Sequence, residues 1–141
     1  MNRTVVAAVA IVLLPAAGLG QGPDEKEVRA VIDQYFHGHA TGDPAEMRKA
    51  FWPTAHIEGV REGKFVSWTV EEYCSRFNGK PAADEASRKR SIDRVEVSGS
   101  AAMAGATLVH GRTTFTDYFV LLKEGNTWKI ANKVYSSRTT N

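Results

Sequence analysis

Cysteine is almost absent from this sequence, which contains a single one, Cys74. One thiol cannot form a disulfide within the chain, and no second thiolate is there to build a cysteine metal site. Because free cysteine is commonly buried as a small apolar side chain, we expect Cys74 to be structural. The sequence therefore excludes a disulfide scaffold and a zinc site built from cysteines.

A dominant sign of charge is also missing. The chain has 18 lysines and arginines against 16 aspartates and glutamates, a formal net charge of +2. Its basic cluster, Arg88-Lys89-Arg90, has no aromatic residues interleaved with it. We therefore expect no nucleic-acid partner.

The motifs of several enzyme classes are lacking as well. There is no glycine-rich phosphate loop, no G-x-S-x-G elbow and no cysteine-histidine nucleophile signature. His37 and His39 would not share one face of a helix, and no acidic motif accompanies them. We expect neither a bound metal nor a cofactor.

Long apolar runs are confined to the start of the chain. Residues 5–14 form an apolar stretch of about ten residues after a basic start, half of the roughly twenty that span a bilayer. Small residues follow, so residues 1–20 are predicted to be a signal peptide cut near Gly20-Gln21. The protein is then periplasmic or secreted, has no membrane segment after cleavage, and folds residues 21–141 as one domain.

Three helices are predicted after this segment. Asp24 is placed as the N-cap of the first, which ends near Gly42 and has apolar residues at three- and four-residue spacing. Asp43-Pro44 starts the second, with Glu46 as its capping-box partner. Thr69 and Glu72 form the capping box of the third, which is expected to end at Asn78-Gly79.

Strands fill the remainder of the chain. Residues 55–68 predict a hairpin around Glu62-Gly63. Four further strands are predicted at residues 91–97, 101–109, 113–123 and 127–136, with turns at Ser98-Gly99, His110-Gly111 and Glu124-Gly125. This order predicts an α+β domain with helices packed on one face of an antiparallel sheet.

The last hairpin can be placed in register if Glu124-Gly125 is a two-residue turn. Asp117 then faces Asn132 in the middle of an otherwise apolar inner face, which also contains Phe119. A buried carboxylate needs a partner, so Asp117 is either tied to Asn132 as a structural bond or lines a pocket. The opposite face would carry the side chains of Tyr118, Val120, Leu122 and Tyr135. Because these side chains are largely apolar, we expect this face to pair with a second copy of the chain.

The closing segments resemble a known family. Residues 115–123 and 128–134, together with Gly42-Asp43-Pro44 and residues 51–56, are similar to the putative lumazine-binding family of the nuclear transport factor 2-like superfamily, which includes SnoaL-like and ketosteroid isomerase-like proteins. The resemblance implies a conical fold with three N-terminal helices on a strongly curved antiparallel sheet, a pocket between them, and frequent dimerisation through the outer sheet face.

The same resemblance implies roles for individual residues. Tyr35 matches the helix tyrosine of ketosteroid isomerases. Their protonated aspartate matches Asp117 to within one residue, the other candidate for that position being Tyr118. The general-base position falls on Gly59, which cannot take a proton, and Glu58 beside it is expected to point to the other face. Isomerase chemistry of that kind is therefore not expected.

We expect an exported, non-catalytic protein that binds a small molecule such as a flat heterocycle, with Tyr35, Trp68, Asp117, Phe119 and Asn132 lining the pocket. One alternative is a cofactor-independent enzyme that moves protons on a small carbonyl compound. Asp117 or Tyr35 would be its acid, and Glu58 or His56 its base. A second alternative is a structural or partner-binding domain whose pocket is filled by side chains.

Overall fold

The computed structural model describes residues 22–141, and the predicted signal peptide, residues 1–20, lies outside them. Within the described part, the chain forms three α-helices and six strands. The helices are Pro23–Thr41 (α1), Pro44–Arg48 (α2) and Val70–Cys74 (α3). The strands are His56–Arg61 (β1), Lys64–Thr69 (β2), Lys89–Ser98 (β3), Ala101–His110 (β4), Thr113–Glu124 (β5) and Thr127–Thr139 (β6).

The first helix has clear start and stop signals. Pro23 occupies its first position, and Gly42 ends it in the left-handed conformation with φ of 64°. Asp24 lies in the first turn rather than at the N-cap, which is Gly22. Its carboxylate accepts hydrogen bonds from Lys123 Nζ (2.6 Å) and Trp128 Nε1 (3.2 Å), so it ties α1 to the last hairpin.

The second helix packs tightly against the first. The Asp43 carboxylate accepts from the Ala45 amide (2.7 Å), which confirms Asp43 as the N-cap. Glu46 does not complete a capping box, because its side chain accepts from Gln34 and Lys49 instead. A Cβ at Gly38 would lie 2.7 Å from the Cα of Met47, so a side chain there would push the two helices apart.

The hairpin and the third helix follow the predicted signals. Glu62 and Gly63 both have positive φ (51° and 75°), which is the type I′ turn that joins β1 to β2. Thr69 and Glu72 form a complete capping box at the start of α3. The helix ends at Cys74, earlier than predicted, because the chain tightens into i→i+3 bonds such as Phe77 N to Cys74 O.

All six strands belong to one sheet, in the order β2-β1-β6-β5-β4-β3. Its strand pairs are antiparallel except for β1 and β6, which run parallel, so the predicted wholly antiparallel sheet is corrected at this point. The parallel pair brings the early hairpin beside the last strand of the meander. The architecture is α+β, as predicted.

The three turns of the meander lie one residue later than predicted. Gly99, Gly111 and Gly125 each occupy the first central position of a two-residue turn, with φ near 60°. A glycine at that position with a right-handed second residue is typical of type II′ turns. The strands before the turns therefore include Ser98, His110 and Glu124.

A bulge at Ala131 changes the register of the last hairpin. Leu121 pairs with Ile130, but Val120 pairs with Asn132, which leaves Ala131 without a partner on β5. The extra residue reverses the face of every later side chain on β6. Asp117 consequently lies opposite Tyr135, and the predicted Asp117–Asn132 pair is wrong.

The core lies between the helices and one face of the sheet. α1 contributes Val28, Ile32 and Tyr35, at the spacing of one helical stripe. β5 contributes Phe119 and Leu121, whose alternation places them on the same face. Cys74 is buried in this core, as expected for a structural thiol. No helix formed by residues 22–141 is long and apolar enough to cross a membrane.

Candidate functional site

A cavity of about 420 Å³ opens between the helices and the inner face of the sheet. Of the five predicted pocket residues, Tyr35, Trp68 and Asp117 line it. Strands β4, β5 and β6 supply much of the remaining lining, and the segment from Tyr73 to Arg76 closes one side. Tyr35 reaches the cavity because it lies on the buried stripe of α1, six residues before the helix ends at Thr41.

A buried ion pair lies at the inner end of the cavity. Lys133 Nζ is 3.0 Å from Asp117 Oδ2, and their side chains are 4% and 2% exposed. The Tyr35 hydroxyl donates to the same oxygen at 2.7 Å. The carboxylate on the apolar face is thus satisfied by a cation and a phenol.

His39 connects two tyrosines above this pair. Its Nε2 lies 2.9 Å from the Tyr35 hydroxyl and 3.0 Å from the Tyr73 hydroxyl. Because Tyr35 donates its one proton to Asp117, its oxygen must accept from His39, which assigns the Nε2-protonated tautomer. The Tyr73 hydroxyl also lies 3.5 Å from the Tyr35 hydroxyl, so its proton can go to that oxygen or to a ligand.

Burial governs the protonation of these groups. It raises the pKa of Tyr35 well above its ordinary value, and the nearby Asp117 charge adds to the rise. It lowers the pKa of His39 well below its ordinary value, with help from the Lys133 charge. The pKa of Lys133 is also lowered by burial, and Asp117 offsets part of that effect. The tyrosines and His39 are therefore neutral donors and acceptors near neutral pH.

Two parallel aromatic rings form one wall of the cavity. The rings of Trp68 and Tyr135 are stacked at 10° with centroids 6.2 Å apart. The guanidinium of Arg76, which also lines the cavity, lies 4.8 Å from the centre of the Trp68 ring. A planar ligand would find an apolar surface here.

His110 also lines the cavity, with its ring 5.8 Å from that of His39. Burial lowers its pKa to about 4, and the charges of Arg88 and Arg90 act in the same direction. Its Nε2 is buried and has no hydrogen-bond partner among residues 22–141. The imidazole is therefore neutral and has an unused polar nitrogen.

The two other predicted pocket residues lie elsewhere. Phe119 is 1% exposed and packs its ring edge-on against Tyr35, so it supports the cavity from behind without lining it. Asn132 is on the opposite face of the sheet because the Ala131 bulge turns it away. Lys133 takes the inward position that was expected for Asn132.

The predicted base candidates are also remote from the cavity. Glu58 accepts from Asn132 Nδ2 (3.0 Å) and Ser67 Oγ (3.1 Å) on the outer face, and the hydrogen bond from Asn132 lowers its pKa. The His56 amide donates to Asn132 Oδ1 at 3.1 Å, and the side chain of His56 is exposed. Neither residue can exchange a proton with a molecule held against Asp117.

Several cavity residues were missed by sequence reasoning, namely His39, Arg61, Tyr73, Arg76, Lys133 and Tyr135. The predicted register placed Tyr135 on the outer face, and the Ala131 bulge, which invalidates that register, turns both Tyr135 and Lys133 inward. His39 carried a usable signal, since it follows Tyr35 by four residues on the same helix. Within the part of the chain that the structure describes, no three His, Cys, Asp or Glu side chains converge on a point where a metal could bind.

Solved structures share this fold. A nuclear transport factor 2-like protein of unknown function from Shewanella baltica OS155 is 26% identical, with a TM-score of 0.74 over 83% of this chain and 95% of its own. One from Methylobacillus flagellatus KT is 24% identical, with a TM-score of 0.75 over 86% and 97%. A ketosteroid isomerase-like protein from Erwinia carotovora atroseptica SCRI1043 is 12% identical, with a TM-score of 0.61 over 84% and 98%.

None of the curated proteins matches the chain significantly. The family described as "Putative lumazine-binding" matches residues 23–136, which include all three helices and the whole sheet up to Ser136. The matched region contains nearly all of the cavity described above. By this match and by its fold, the chain belongs to the putative lumazine-binding family.

Proposed function

We propose that this protein binds a small, flat, polar heterocycle in the cavity beside Trp68 and Tyr135. The observation that carries the proposal is one cavity of about 420 Å³ that combines the stacked rings of Trp68 and Tyr135 with a hydrogen-bonded polar cluster at its inner end. That cluster consists of Tyr35, His39, Asp117 and Lys133. This volume falls within the range of small-molecule sites. A cavity of that size also argues against the alternative of a pocket filled by side chains.

Lumazine is the first ligand to test, because the family description names it. Its two fused rings are flat, and carbonyl oxygens and ring nitrogens surround them. The Tyr73 hydroxyl and the unused His110 nitrogen are the kind of groups that could bind such edges. The rings themselves would pack against the aromatic wall.

We propose binding without turnover. Asp117 is held by Lys133 and Tyr35, and the expected bases Glu58 and His56 are on the opposite face. The alternative, an enzyme that moves protons on a carbonyl compound, keeps one supporting observation, which is the neutral His39 in contact with the Tyr35 hydroxyl. His39 would then be its base, in the tautomer whose Nε2 carries no proton.

Fluorescence titration tests the proposal. We expect lumazine or a related pteridine to quench Trp68 and to raise the melting temperature of residues 21–141. Trp68→Leu should abolish the binding, whereas Trp52→Phe should not, since Trp52 donates to the Leu122 carbonyl and does not line the cavity. Equal affinity in the Trp68→Leu variant would place the ligand elsewhere.

The absorbance spectrum of the bound ligand separates binding from catalysis. A binding protein leaves the spectrum of the pteridine, or of a small carbonyl compound added in its place, unchanged over hours. Turnover that disappears in His39→Gln would instead support the enzyme. If the unmodified protein binds no flat heterocycle, the proposed function is wrong.

We also propose that the protein is exported and that residues 1–20 are removed near Gly20-Gln21. The support is the apolar stretch at residues 5–14 with its basic start and the small residues that follow. Mass spectrometry of protein recovered from the periplasm or the medium measures the new N-terminus. Recovery of exported protein that retains residues 1–20 would contradict this.

A homodimer through the outer sheet face completes the proposal. Four large apolar side chains on that face are about half exposed, namely Tyr118 (49%), Val120 (52%), Leu122 (49%) and Val134 (43%). Tyr135, which was expected here, points into the cavity, and Val134 takes its place. A contiguous apolar patch of this kind is typical of an interface between copies.

A further inference from the structure

Two arginines at the cavity have no anionic partner. Arg61 and Arg76 both line the cavity and are exposed, and neither lies within 4.0 Å of a carboxylate oxygen in residues 22–141. The five arginines that do have such partners are Arg29, Arg48, Arg88, Arg90 and Arg94. Arg112 and Arg138 are also without one, but they do not line the cavity.

The two guanidinium groups determine the net charge of the lining. Asp117 and Lys133 neutralise each other, and burial keeps His39 and His110 in their uncharged forms. Arg61 and Arg76 remain as two uncompensated positive charges. The cavity is thus uncharged overall at its inner end and cationic where it opens.

Both charges act on one part of the wall. Burial raises the pKa of Tyr135, and the charges of Arg61 and Arg76 both oppose that rise. Arg61 follows Ile57 and Gly59 on the inner side of β1, where Gly59 pairs with Tyr135. Arg76 lies over the Trp68 ring that stacks on Tyr135. The two cations therefore flank the aromatic wall.

We infer that the ligand of this site is a planar ring that carries an anionic oxygen group, which Arg61 and Arg76 bind at the mouth of the cavity. The inference rests on the proposed function and specifies its ligand class. A ring packed on Trp68 and Tyr135 has the arginines within reach of its substituent, and guanidinium groups bind carboxylate or phosphate oxygens with paired hydrogen bonds. The hydroxyls of Ser137 and of the hydrogen-bonded pair Thr113 and Thr139 line the same cavity and can supply further hydrogen bonds.

Matched ligand pairs test the inference. Pterin and pterin-6-carboxylate share one flat ring system and differ in the anionic group, and 1-naphthol and 1-naphthyl phosphate provide the same comparison for phosphate. We expect the anionic member of at least one pair to bind about tenfold to a hundredfold more tightly. The preference should fall as salt is added, because exposed charges are screened. The pair with the larger preference identifies carboxylate or phosphate as the group.

Substitution assigns the preference to the two arginines. The double variant Arg61→Gln with Arg76→Gln should bind both members of a pair about equally, at the affinity that the unmodified protein has for the neutral one. Arg94→Gln is the control, because Arg94 is an exposed arginine opposite Gly105 on the outer face. Circular dichroism and melting temperature verify that the variants fold.

Each result has a distinct meaning. If the unmodified protein binds neutral and anionic members equally, the anion inference is wrong and the proposed function stands. If the preference survives in the double variant, the anion is bound elsewhere and the inference is also wrong. If lumazine binds but no member of either pair does, the inference fails and the proposed function stands; if none of these compounds binds, both fail.

Discussion

Gly59 lies directly beneath the phenol ring of Tyr135, so closely that a Cβ at position 59 would be 2.6 Å from Tyr135 Cε1. This is the position where the family resemblance would place the general base of a ketosteroid isomerase. Any side chain at 59, a carboxylate included, would have to displace the Tyr135 ring. An aromatic wall thus occupies the space that a base would need.

Replacing Gly59 tests this contact. Gly59→Ala should lower the free energy of unfolding by about 1–3 kcal/mol, the usual cost of overpacking, and should weaken heterocycle binding because Tyr135 shifts. Gly105→Ala is the control, since its Cβ would meet Arg94 and Tyr118 at an ordinary 3.5–3.7 Å. Chemical denaturation and ligand titration measure both effects. Equal stability of the two variants would contradict the close packing.

Breaking the buried Asp117–Lys133 ion pair should cost much more stability than breaking an exposed one. Asp117→Asn keeps the shape of the side chain but leaves Lys133 as an uncompensated buried cation, so we expect a loss of about 3–5 kcal/mol. Adding Lys133→Met should recover much of this loss, because it removes the stranded charge. Denaturant melts of the single and double variants give the coupling energy between the two residues.

An exposed ion pair provides the comparison. Arg48 and Glu71 are 41% and 73% exposed, and Glu71→Gln should cost about 1 kcal/mol or less. If Asp117→Asn costs no more than Glu71→Gln, the Lys133 side chain is not confined to the buried site.

Acid should destabilise the protein through His110. In the folded chain, burial and then Arg88 and Arg90 lower its pKa from 6.5 to about 4, against the smaller opposing effects of Asp84 and Glu85. Between these two values the unfolded chain binds more protons, so the free energy of unfolding falls as pH decreases from about 6.5 to 4. His39 is shifted in the same direction and adds to the effect.

Variants separate the contribution of His110 from that of other groups. His110→Asn should flatten the decrease in stability over this pH range, as measured by urea melts at each pH. His56→Asn serves as the control because its imidazole is exposed on the opposite face. An unchanged slope in His110→Asn would show that the imidazole does not titrate abnormally.

The outer sheet face should control the oligomeric state. Val120→Glu introduces a charge in the middle of the apolar patch that contains Tyr118 and Leu122, so it should convert dimers to monomers. Ala86→Glu adds the same charge at an exposed position in the turn Glu85–Ser87 and should leave the dimer intact. Light scattering at micromolar concentration measures the mass. A monomeric unmodified protein would contradict the proposed dimer.

Local signals in the sequence were sufficient for much of the fold. Thr69 and Glu72 predict a capping box, and Glu62-Gly63 predicts a tight hairpin turn, because these motifs involve only a few neighbouring residues. Similarly, strict alternation from Phe115 to Leu121 is enough to place Asp117 inside. The role of Tyr35, in contrast, came from the family resemblance.

The meander turns show where local signals become ambiguous. Glu124-Gly125-Asn126 can form a turn with glycine second, as in type I′, or with glycine first, as in type II′. The structure has glycine first, which shifts the pairing by two positions and so keeps each side chain on its predicted face. An error of that kind does not change which residues reach the cavity.

What the sequence by itself determined, then, is the set of elements, their caps and the inner face of β5, since each depends on residues close together in the chain. The inner face of β6 was decided by tertiary structure. At Ile130 this strand pairs with the segment around Phe51, and from Lys133 onward it pairs with β1. The Ala131 bulge lies where these neighbours change, and it alone turns Lys133 and Tyr135 inward and Asn132 outward. No pattern within residues 127–139 encodes that exchange of partners, because it depends on strands more than seventy residues earlier in the chain.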